Sequence, residues 1–268
     1  MNAPDRPRAL ITGASSGIGA AFAKKLAQKG FNLILHGRRE GKLTELAENL
    51  KRYNIFTEIL IAELSRAEEQ RRIETRIQAL DSLDMLINNA GYWTPGMFWE
   101  TSPDSLEAMI MVHVIAPVRF IRAALPRMLE RNKGDIINVS SMGAYFNFFT
   151  VENYGATKAY LANLTESLHV ALMGTGLRVQ VLAPGFTLTD FHSRLGADFS
   201  KAQQKWMLPE EVVDISLKGL EKGQVVCIPG FKRQFLVKCA HMLPRAIYYR
   251  VMQKVGMRAK KNWEKATE

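Results

Sequence analysis

Cysteine is scarce in this chain. Of its 268 residues only Cys227 and Cys239 are cysteines, and they stand in no recognisable spacing. A disulfide framework or a thiolate metal site needs more cysteines at regular intervals. We therefore expect free thiols in a reducing compartment and no bound metal.

Repeats, low-complexity tracts and long apolar runs are also missing. We find no run of about 18 apolar residues that could cross a bilayer. No charged-then-apolar leader precedes the strand-like run that begins at Ala9. Apolar residues make up 47% of the chain and charged residues 23%, as in globular proteins. We expect a cytoplasmic protein whose catalytic part is one large domain.

Acidic residues are few at the C-terminal end. Residues 231–268 contain ten Lys or Arg residues and only two acidic residues, Glu264 and Glu268. This segment therefore carries +8 of the net charge of +10. The other 230 residues carry the remaining +2. Nucleic-acid binding could only be a property of this segment, and we expect no nucleic-acid partner. We divide the chain into a domain, 1–230, and a basic amphipathic extension, 231–268.

Apolar residues recur at helical spacing within the extension: Leu236, Ala240, Leu243, Ile247 and Val251. Two interpretations follow. The helix could lie on an anionic membrane surface, with Tyr248, Tyr249 and Trp263 at the headgroup level. Alternatively, its apolar stripe packs on the body or on a second subunit.

Strand and helix patterns alternate along residues 9–230. The predicted strands are 9–11, 32–36, a third that ends at 63–64, 84–87, 135–139, 178–182 and 225–228. The predicted helices include 20–29, 66–80, 105–130 and 209–222, with 105–130 kinked or broken at Pro117 and Pro126. This order predicts a doubly wound, mostly parallel α/β sheet that binds ligands at the carboxyl ends of its strands. Residues 190–206 show no clean period and are interpreted as a lid.

The first strand leads into Thr12-Gly13-Ala14-Ser15-Ser16-Gly17-Ile18-Gly19. Glycines let a backbone approach a pyrophosphate closely, and the N-terminus of the following helix stabilises the anion. The second strand ends before Arg38 and Arg39, where an NAD-binding fold usually carries an acid. Arginine matches phosphate geometry, so we predict NADP(H), although two arginines could also form a solvated turn.

Tyr154 and Lys158 are four residues apart and therefore lie on one face of a helix. An ammonium beside the phenol would favour its ionised form and make Tyr154 an acid or base. Ser141 ends a predicted strand nearby. Taken alone, a Tyr-Lys pair at this spacing is far more often a solvated helix face, so the surrounding sequence has to support the catalytic interpretation.

Aromatic residues cluster around these positions. Tyr145 and Phe146 follow Ser141, and the candidate substrate contacts are Trp93, Phe148, Phe149, Phe186 and Phe191. An aromatic rim suits a lipophilic or aromatic carbonyl compound or alcohol.

The sequence resembles the short-chain dehydrogenase/reductase family over roughly residues 9–230. Five blocks occur in the family's order: 12–19, 88–91, 141, 154–158 and 184–189. The resemblance implies a Rossmann-type fold, a nicotinamide cofactor and hydride transfer between that cofactor and a ketone, an aldehyde or a secondary alcohol. It also implies a homo-dimer or tetramer.

The resemblance also implies roles for individual residues. Tyr154 would be the general acid or base, Ser141 would hydrogen-bond the substrate oxygen, and Lys158 would bind the nicotinamide ribose. Gly13, Ser15, Ser16, Ile18 and Gly19 would line the pyrophosphate, Arg38 would meet the 2′-phosphate, and Glu63, Leu64 and Asn89 would border adenosine. Thr189, with the backbone of Pro184 and Gly185, would hold the carboxamide. The other candidate cofactor contacts are Gly17, Arg39, Ala90, Gly91, Tyr154, Lys158 and Thr187.

One position departs from the family's pattern. An asparagine that supports a relay water is replaced here by His113, within Val112-His113-Val114-Ile115-Ala116-Pro117. His113 could anchor that water, relay the proton with a pKa near neutrality, or be only a satisfied helix histidine.

Two other functions stay open. The chain could be a cofactor-binding regulator or scaffold with weak or no catalysis, although the complete Ser141, Tyr154 and Lys158 set counts against this. An epimerase or dehydratase of nucleotide-linked substrates is a second alternative, but the 38 residues after Gly230 are short for the extra domain such enzymes carry.

Overall fold

Seven parallel strands form one sheet in the order β3-β2-β1-β4-β5-β6-β7. The computed structural model describes residues 6–94, 96–147, 151–189 and 206–267. Strand order reverses beside β1, which pairs with β2 on one side and with β4 on the other. The expected doubly wound α/β fold is confirmed, and its reversal point places a crevice at the carboxyl ends of β1 and β4.

The strands are short, and most are buried on both faces. They are β1 Arg8–Ile11, β2 Asn32–Gly37, β3 Thr57–Ile61, β4 Met85–Asn88, β5 Gly134–Val139, β6 Leu177–Leu182 and β7 Val226–Cys227. The helices are α1 Gly17–Gln28, α2 Glu40–Leu50, α3 Ala67–Gln78, α4 Pro103–Ile110, α5 Ala116–Glu130, α6 Glu152–Ala171, α7 Pro209–Glu221, α8 Phe231–Met242 and α9 Arg245–Thr267.

Helices cover both faces of the sheet. One apolar core joins α1, α2 and α7 to the sheet, with Phe22 and Leu26 fully buried. The other joins α3, α5 and α6 to the opposite face around Phe120 and Leu86. Burial on both faces explains why the strands read as continuous apolar runs.

The third strand ends earlier than expected. Pairing with β2 stops at Ile61, so Glu63 lies two residues beyond the strand and not at its end. The side chain of Gln70 donates 2.6 Å to the carbonyl of Leu64, which turns the chain into α3.

The helix expected over 105–130 is interrupted as predicted, but by a π-helical turn, Met111–Ile115, between α4 and α5. Pro117 has no N–H, so an ordinary α-helix would leave the carbonyl of His113 without its partner. The wider turn avoids that pattern and places His113 in the interior, with no exposed surface. Such π-turns are frequent at functional sites.

Residues 103–130 together are long and apolar enough to span a membrane by length and composition, and 56% of the apolar window is buried inside the protein. This finding corrects the expectation that no such segment exists. The segment packs against α3 in the second core. It is therefore a core helix of the domain.

The C-terminal helices α8 and α9 pack on the domain. Val237 and Ala240 from α8 and Tyr248 and Met252 from α9 join a third apolar cluster with residues after β5, β6 and β7, including Phe146, Ala183 and Ile228. The interpretation in which the extension packs on the body is supported in part. The division at residue 230 stays a prediction.

The residues of the extension do not all face as expected. Of the stripe read from the sequence only Ala240 is buried, whereas Leu236 and Ile247 are 54% and 50% exposed. Tyr248, expected at a membrane surface, is 2% exposed and lies inside the protein. Both faces of these helices carry apolar residues, so spacing alone could not choose between them.

Candidate active site

The glycine turn after β1 has the backbone that a pyrophosphate site needs. Gly13 and Gly17 have φ angles of +67° and +55°, a backbone conformation that residues other than glycine rarely adopt. A Cβ at Gly13 would lie 2.9 Å from the Cα of Ala90, and a Cβ at Gly19 would collide with the carbonyl oxygen of Gly13. Glycine at positions 13, 17 and 19 therefore keeps this turn open at the start of α1. An open cradle of this kind fits the pyrophosphate of a dinucleotide.

Thr12 joins this turn to the end of β4. Its hydroxyl oxygen accepts from the backbone N–H groups of Asn89, at 2.9 Å, and Ala90, at 3.0 Å. The amide of Asn89 in turn donates to the carbonyls of Thr12 and Gly13, at 2.9 and 3.1 Å. Asn89 and Ala90 therefore shape the floor of the cradle. Sequence reasoning assigned no role to Thr12.

His36 fixes the turn from the other side, and sequence reasoning missed it. Its Nδ1 accepts from the N–H of Gly13 at 3.4 Å, and its Nε2 lies 3.1 Å from the carbonyl oxygen of Ala62. The accepting role of Nδ1 places the proton on Nε2. Burial lowers the pKa of His36 to about 4, so this link is neutral. A histidine at the end of a buried strand, opposite the glycine turn, was the available signal.

Both predicted arginines reach the edge of the cradle. The Arg39 guanidinium donates to the hydroxyls of Ser15, at 3.0 Å, and Ser16, at 2.7 Å. Arg38 forms an ion pair with Glu63 at 2.9 Å, and its side chain is 55% exposed. The hydrogen bonds from Arg38 and from the N–H of Ser65 lower the pKa of Glu63, against the effect of its partial burial.

Leu64 and Ile18 are two of the predicted cofactor contacts, and the side chains of both pack on the apolar cores. Leu64 is 3% exposed, with its side chain in the second core. Ile18 packs on the first core from the first turn of α1.

Ser141 and Tyr154 meet as the sequence predicts. Ser141 follows β5 and Tyr154 lies in the first turn of α6. The Ser141 oxygen accepts from the N–H of Gly143 at 3.0 Å and is hydrogen-bonded to the Tyr154 side chain. A Cβ at Gly143 would lie 3.4 Å from the Tyr154 ring, so this glycine leaves the ring its space. Two hydroxyls are thus held side by side at the carboxyl end of β5.

Lys158 is buried beneath them. Its ammonium donates to the carbonyl of Val139 at 2.9 Å and lies 5.8 Å from the centre of the Tyr154 ring. Burial lowers the pKa of Lys158 to about 8. Gly91 leaves room for this ammonium, since a Cβ there would lie 3.3 Å from it.

The electrostatics of Tyr154 differ from the sequence expectation. Burial raises the pKa of the phenol, and the hydrogen bond with Ser141 lowers it only in part. We expected the neighbouring ammonium to lower this pKa below its ordinary value. Desolvation of the buried phenol sets the direction instead, and the hydrogen bond with Ser141 is what opposes it.

His113 makes hydrogen bonds through both ring nitrogens. Nε2 accepts from the backbone N–H of Tyr92 at 3.0 Å, and Nδ1 lies 2.9 Å from the hydroxyl of Thr157. Burial, together with the charge of Lys158, holds the pKa of His113 well below its usual range. The pKa near neutrality that a titrating relay requires is therefore not found.

The loop after β6 closes the cofactor side of the crevice. The carbonyl of Pro184 accepts from the N–H of Met142 at 3.0 Å, beside Ser141. Thr187 is buried and donates to the carbonyl of Gly185 at 3.0 Å. The methyl carbon of Thr189 would lie 2.9 Å from a Cβ at Gly17, so this loop touches the glycine turn.

A small cleft opens beside Tyr154. Its walls come from the loop after β4, from α4 and from the start of α6. Apolar residues (Trp93, Phe98, Leu106 and Met109) and polar ones (Thr94, Thr101, Glu152 and Asn153) line it together with Tyr154. Phe186 stacks on Trp206, with ring centres 5.3 Å apart. Phe146 is buried in the third core and not at the rim. Phe148, Phe149, Phe191 and all of the expected lid except Trp206 lie outside the described residues.

Two further residues come from the extension, where no sequence signal pointed to them. The Tyr248 hydroxyl accepts from the N–H of Asn147 and donates to its side-chain oxygen, each at 3.0 Å. The Arg233 side chain lies close to Gly185, since a Cβ there would lie 2.9 Å from its Nε. The extension thus contacts the loop after Ser141 and the loop after β6.

Comparison with known proteins agrees with this geometry. The family model described as short chain dehydrogenase matches residues 7–199. A solved short-chain dehydrogenase from Sphingobium yanoikuyae, in complex with NADPH, is 33% identical, with a TM-score of 0.81 over 88% of this chain and 93% of that one.

A solved 7beta-hydroxysteroid dehydrogenase is 30% identical, with a TM-score of 0.84 over 94% of this chain and 99% of that one. The very-long-chain 3-oxoacyl-CoA reductase of Rattus norvegicus is 27% identical over 97% of this chain and 83% of its own length. The glycine cradle, the Ser141–Tyr154–Lys158 group and these matches lead to one conclusion: the chain belongs to the short-chain dehydrogenase/reductase family and is an NAD(P)-dependent oxidoreductase.

Proposed function

We propose that this protein is an NADP(H)-dependent reductase of lipophilic or aromatic ketones and aldehydes, also able to oxidise the corresponding alcohols. The observation that carries the proposal is the pair of hydroxyls, Ser141 and Tyr154, held together above the buried Lys158 beside a small cleft whose lining includes two aromatic rings. When bound, the nicotinamide cofactor supplies or accepts the hydride.

The protein's own residues would manage the oxygen and its proton. In reduction, Tyr154 donates its proton to the substrate oxygen while Ser141 donates a hydrogen bond to it. Burial keeps the phenol protonated at neutral pH, which suits a general acid. Lys158, fixed by the carbonyl of Val139, places a positive charge beneath the phenolate that forms. His113 holds the backbone of Tyr92 and the hydroxyl of Thr157, and we propose that it positions this framework without itself carrying the proton.

The NADP(H) preference is supported by Arg38 and Arg39, which stand where a 2′-phosphate would be bound. The NADPH complex of the Sphingobium relative agrees with it. The lipophilic substrate class is supported by the Trp93, Phe98, Leu106 and Met109 walls and by the names of the steroid and long-chain acyl relatives. We further propose that the protein is a cytoplasmic homo-dimer or tetramer.

The test is NADPH oxidation by the purified protein across a panel of lipophilic ketones and aldehydes, with Tyr154→Phe and Tyr160→Phe compared. Tyr160 lies on the same helix with 48% exposure and serves as the matched control. We expect Tyr154→Phe to keep its NADPH affinity and lose roughly 10²–10⁴-fold in turnover. Tight NADPH binding without turnover on any compound would favour the regulator alternative.

A further inference from the structure

The outward surface of α8 and α9 is unusually apolar. Ten of the 21 large hydrophobic residues exposed in the described parts of the chain fall within residues 231–257. Phe231 and Met242 are 82% and 83% exposed, and Phe235 is 62% exposed. Single exposed hydrophobic residues are common on soluble proteins, whereas a cluster of this kind marks a surface that binds something.

The cluster has a defined face on α9. Tyr248, Met252 and Gly256 are buried at intervals of four residues and form the inner side of the helix. With about 100° per residue, Ile247 and Val251 lie on the outer side together with the cations Arg250 and Lys254. The outer side of the extension therefore mixes aliphatic and aromatic groups with positive charge.

The charge decides what this face can bind. Residues 231–263 contain nine Lys or Arg residues and no Asp or Glu. A two-fold contact between two copies sets the same patch against itself, so two strongly positive surfaces would repel each other. An anionic lipid surface offers a partner for each kind of group: negative headgroups for the cations and acyl chains for the apolar side chains.

We propose that the outer face of α8 and α9 docks the protein on an anionic lipid bilayer and turns the substrate side of the crevice toward it. The inner face of the same helices contacts the loop after Ser141, through Tyr248 at Asn147, and the loop after β6, through Arg233 beside Gly185. Docking by the outer face brings that edge of the protein near the lipid. This orientation rests on the proposed function in one respect: a lipophilic substrate would be drawn from the membrane.

The experiment is flotation of the full chain with vesicles of phosphatidylcholine alone and with an equal mixture of phosphatidylcholine and phosphatidylserine. We expect binding to the anionic vesicles only, weakened by added salt. Phe231→Ser with Phe235→Ser and Met242→Ser, and separately Lys232→Glu with Lys238→Glu, should each lower the bound fraction at least tenfold. These side chains are exposed, so the domain should fold normally.

Matched controls lie away from the extension. Val170→Ser with Met173→Ser removes residues that are 67% and 68% exposed near the C-terminal end of α6, before the start of β6 and away from the carboxyl ends of the strands where the extension packs, and should leave vesicle binding unchanged. Lys24→Glu with Lys222→Glu makes the same change in charge elsewhere and should do the same.

Three results would overturn the proposal: no binding to anionic vesicles, binding that survives both sets of extension variants, or extension variants that convert an oligomer to monomers in the absence of lipid. The last would identify the face as a contact between copies. Reduction of a short, water-soluble ketone is measured in parallel. Vesicle binding without any reductase activity would leave the docking intact and contradict the proposed function.

Discussion

The hydrogen bond between His113 and Thr157 can have only one direction, from the His113 ring to the Thr157 hydroxyl oxygen. Thr157 donates its hydroxyl hydrogen to the carbonyl of Tyr154 at 2.7 Å, so its oxygen can only accept from Nδ1 of His113, 2.9 Å away. Nε2 of His113 is then the nitrogen without a proton, and it accepts from the N–H of Tyr92. The imidazole is therefore neutral, in a single tautomer fixed by its surroundings.

This arrangement predicts that His113 does not titrate during catalysis. If a histidine with a pKa near neutrality relayed the proton, its ionisation would appear in the pH dependence of kcat/KM. The variant His113→Asn would then lack that ionisation. We expect the pH profiles of wild type and His113→Asn to have the same shape. His113→Ala, which leaves the buried N–H of Tyr92 unsatisfied and opens a cavity, should lower the free energy of unfolding by about 2–4 kcal/mol. Loss of an ionisation in His113→Asn would contradict this account.

His36 predicts a specific acid sensitivity. Its pKa is about 4 in the folded protein, below the ordinary 6.5. Between these pH values the unfolded chain binds a proton at this histidine that the folded protein does not bind. The contribution of His36 to the free energy of unfolding is therefore fully present above pH ~6.5. It is lost as the pH falls toward ~4, by ~3 kcal/mol in all. His36→Gln should reduce the difference in unfolding free energy between pH 7 and pH 4, measured by urea titration. His169→Gln is the control and should keep the wild-type difference.

The ion pair between Arg38 and Glu63 predicts how cofactor choice can be altered. If Arg38 binds the 2′-phosphate, Arg38→Ala should weaken NADPH binding roughly 10–100-fold, the effect of one charge-assisted hydrogen bond, and leave NADH binding unchanged. Glu63→Gln removes the competing carboxylate and should tighten NADPH binding relative to NADH. Fluorescence titration measures both. Arg52→Ala, on an exposed arginine after α2, is the matched control; equal effects on NADPH and NADH in Arg38→Ala would contradict the assignment.

Tyr248 predicts that the extension acts on the substrate side. Tyr248→Phe removes the two hydrogen bonds to Asn147, in the loop that follows Ser141. We expect a several-fold rise in KM for a lipophilic ketone, with NADPH affinity unchanged and a loss of about 1–2 kcal/mol in stability. The neighbouring Tyr249, which is 55% exposed, provides the control variant Tyr249→Phe. A change confined to stability would make Tyr248 a purely structural residue.

The sequence predicted the sheet because the strands are short, largely apolar runs, each with glycine, proline or polar residues within a few positions of its end. It also predicted that Ser141 and Tyr154 would meet, since both follow the carboxyl end of β5. The π-turn around His113 could not be read from the pattern, because it changes the hydrogen bonding without changing the apolar spacing. The orientation of α8 and α9 was equally hidden, since Tyr248 and Ile247 are both apolar and only packing decides which one is buried. The raised pKa of Tyr154 depends on burial, which a four-residue spacing cannot report.

The most direct test of the central claim is transfer of deuterium to a lipophilic ketone from NADPH that carries deuterium in both positions at carbon four of the nicotinamide, with the product analysed by mass spectrometry. We predict one deuterium on the carbinol carbon, formed by wild type and nearly absent with Tyr154→Phe at equal cofactor occupancy. An unlabelled alcohol, or label transfer that is undiminished in Tyr154→Phe, would contradict a reductase that works through this tyrosine.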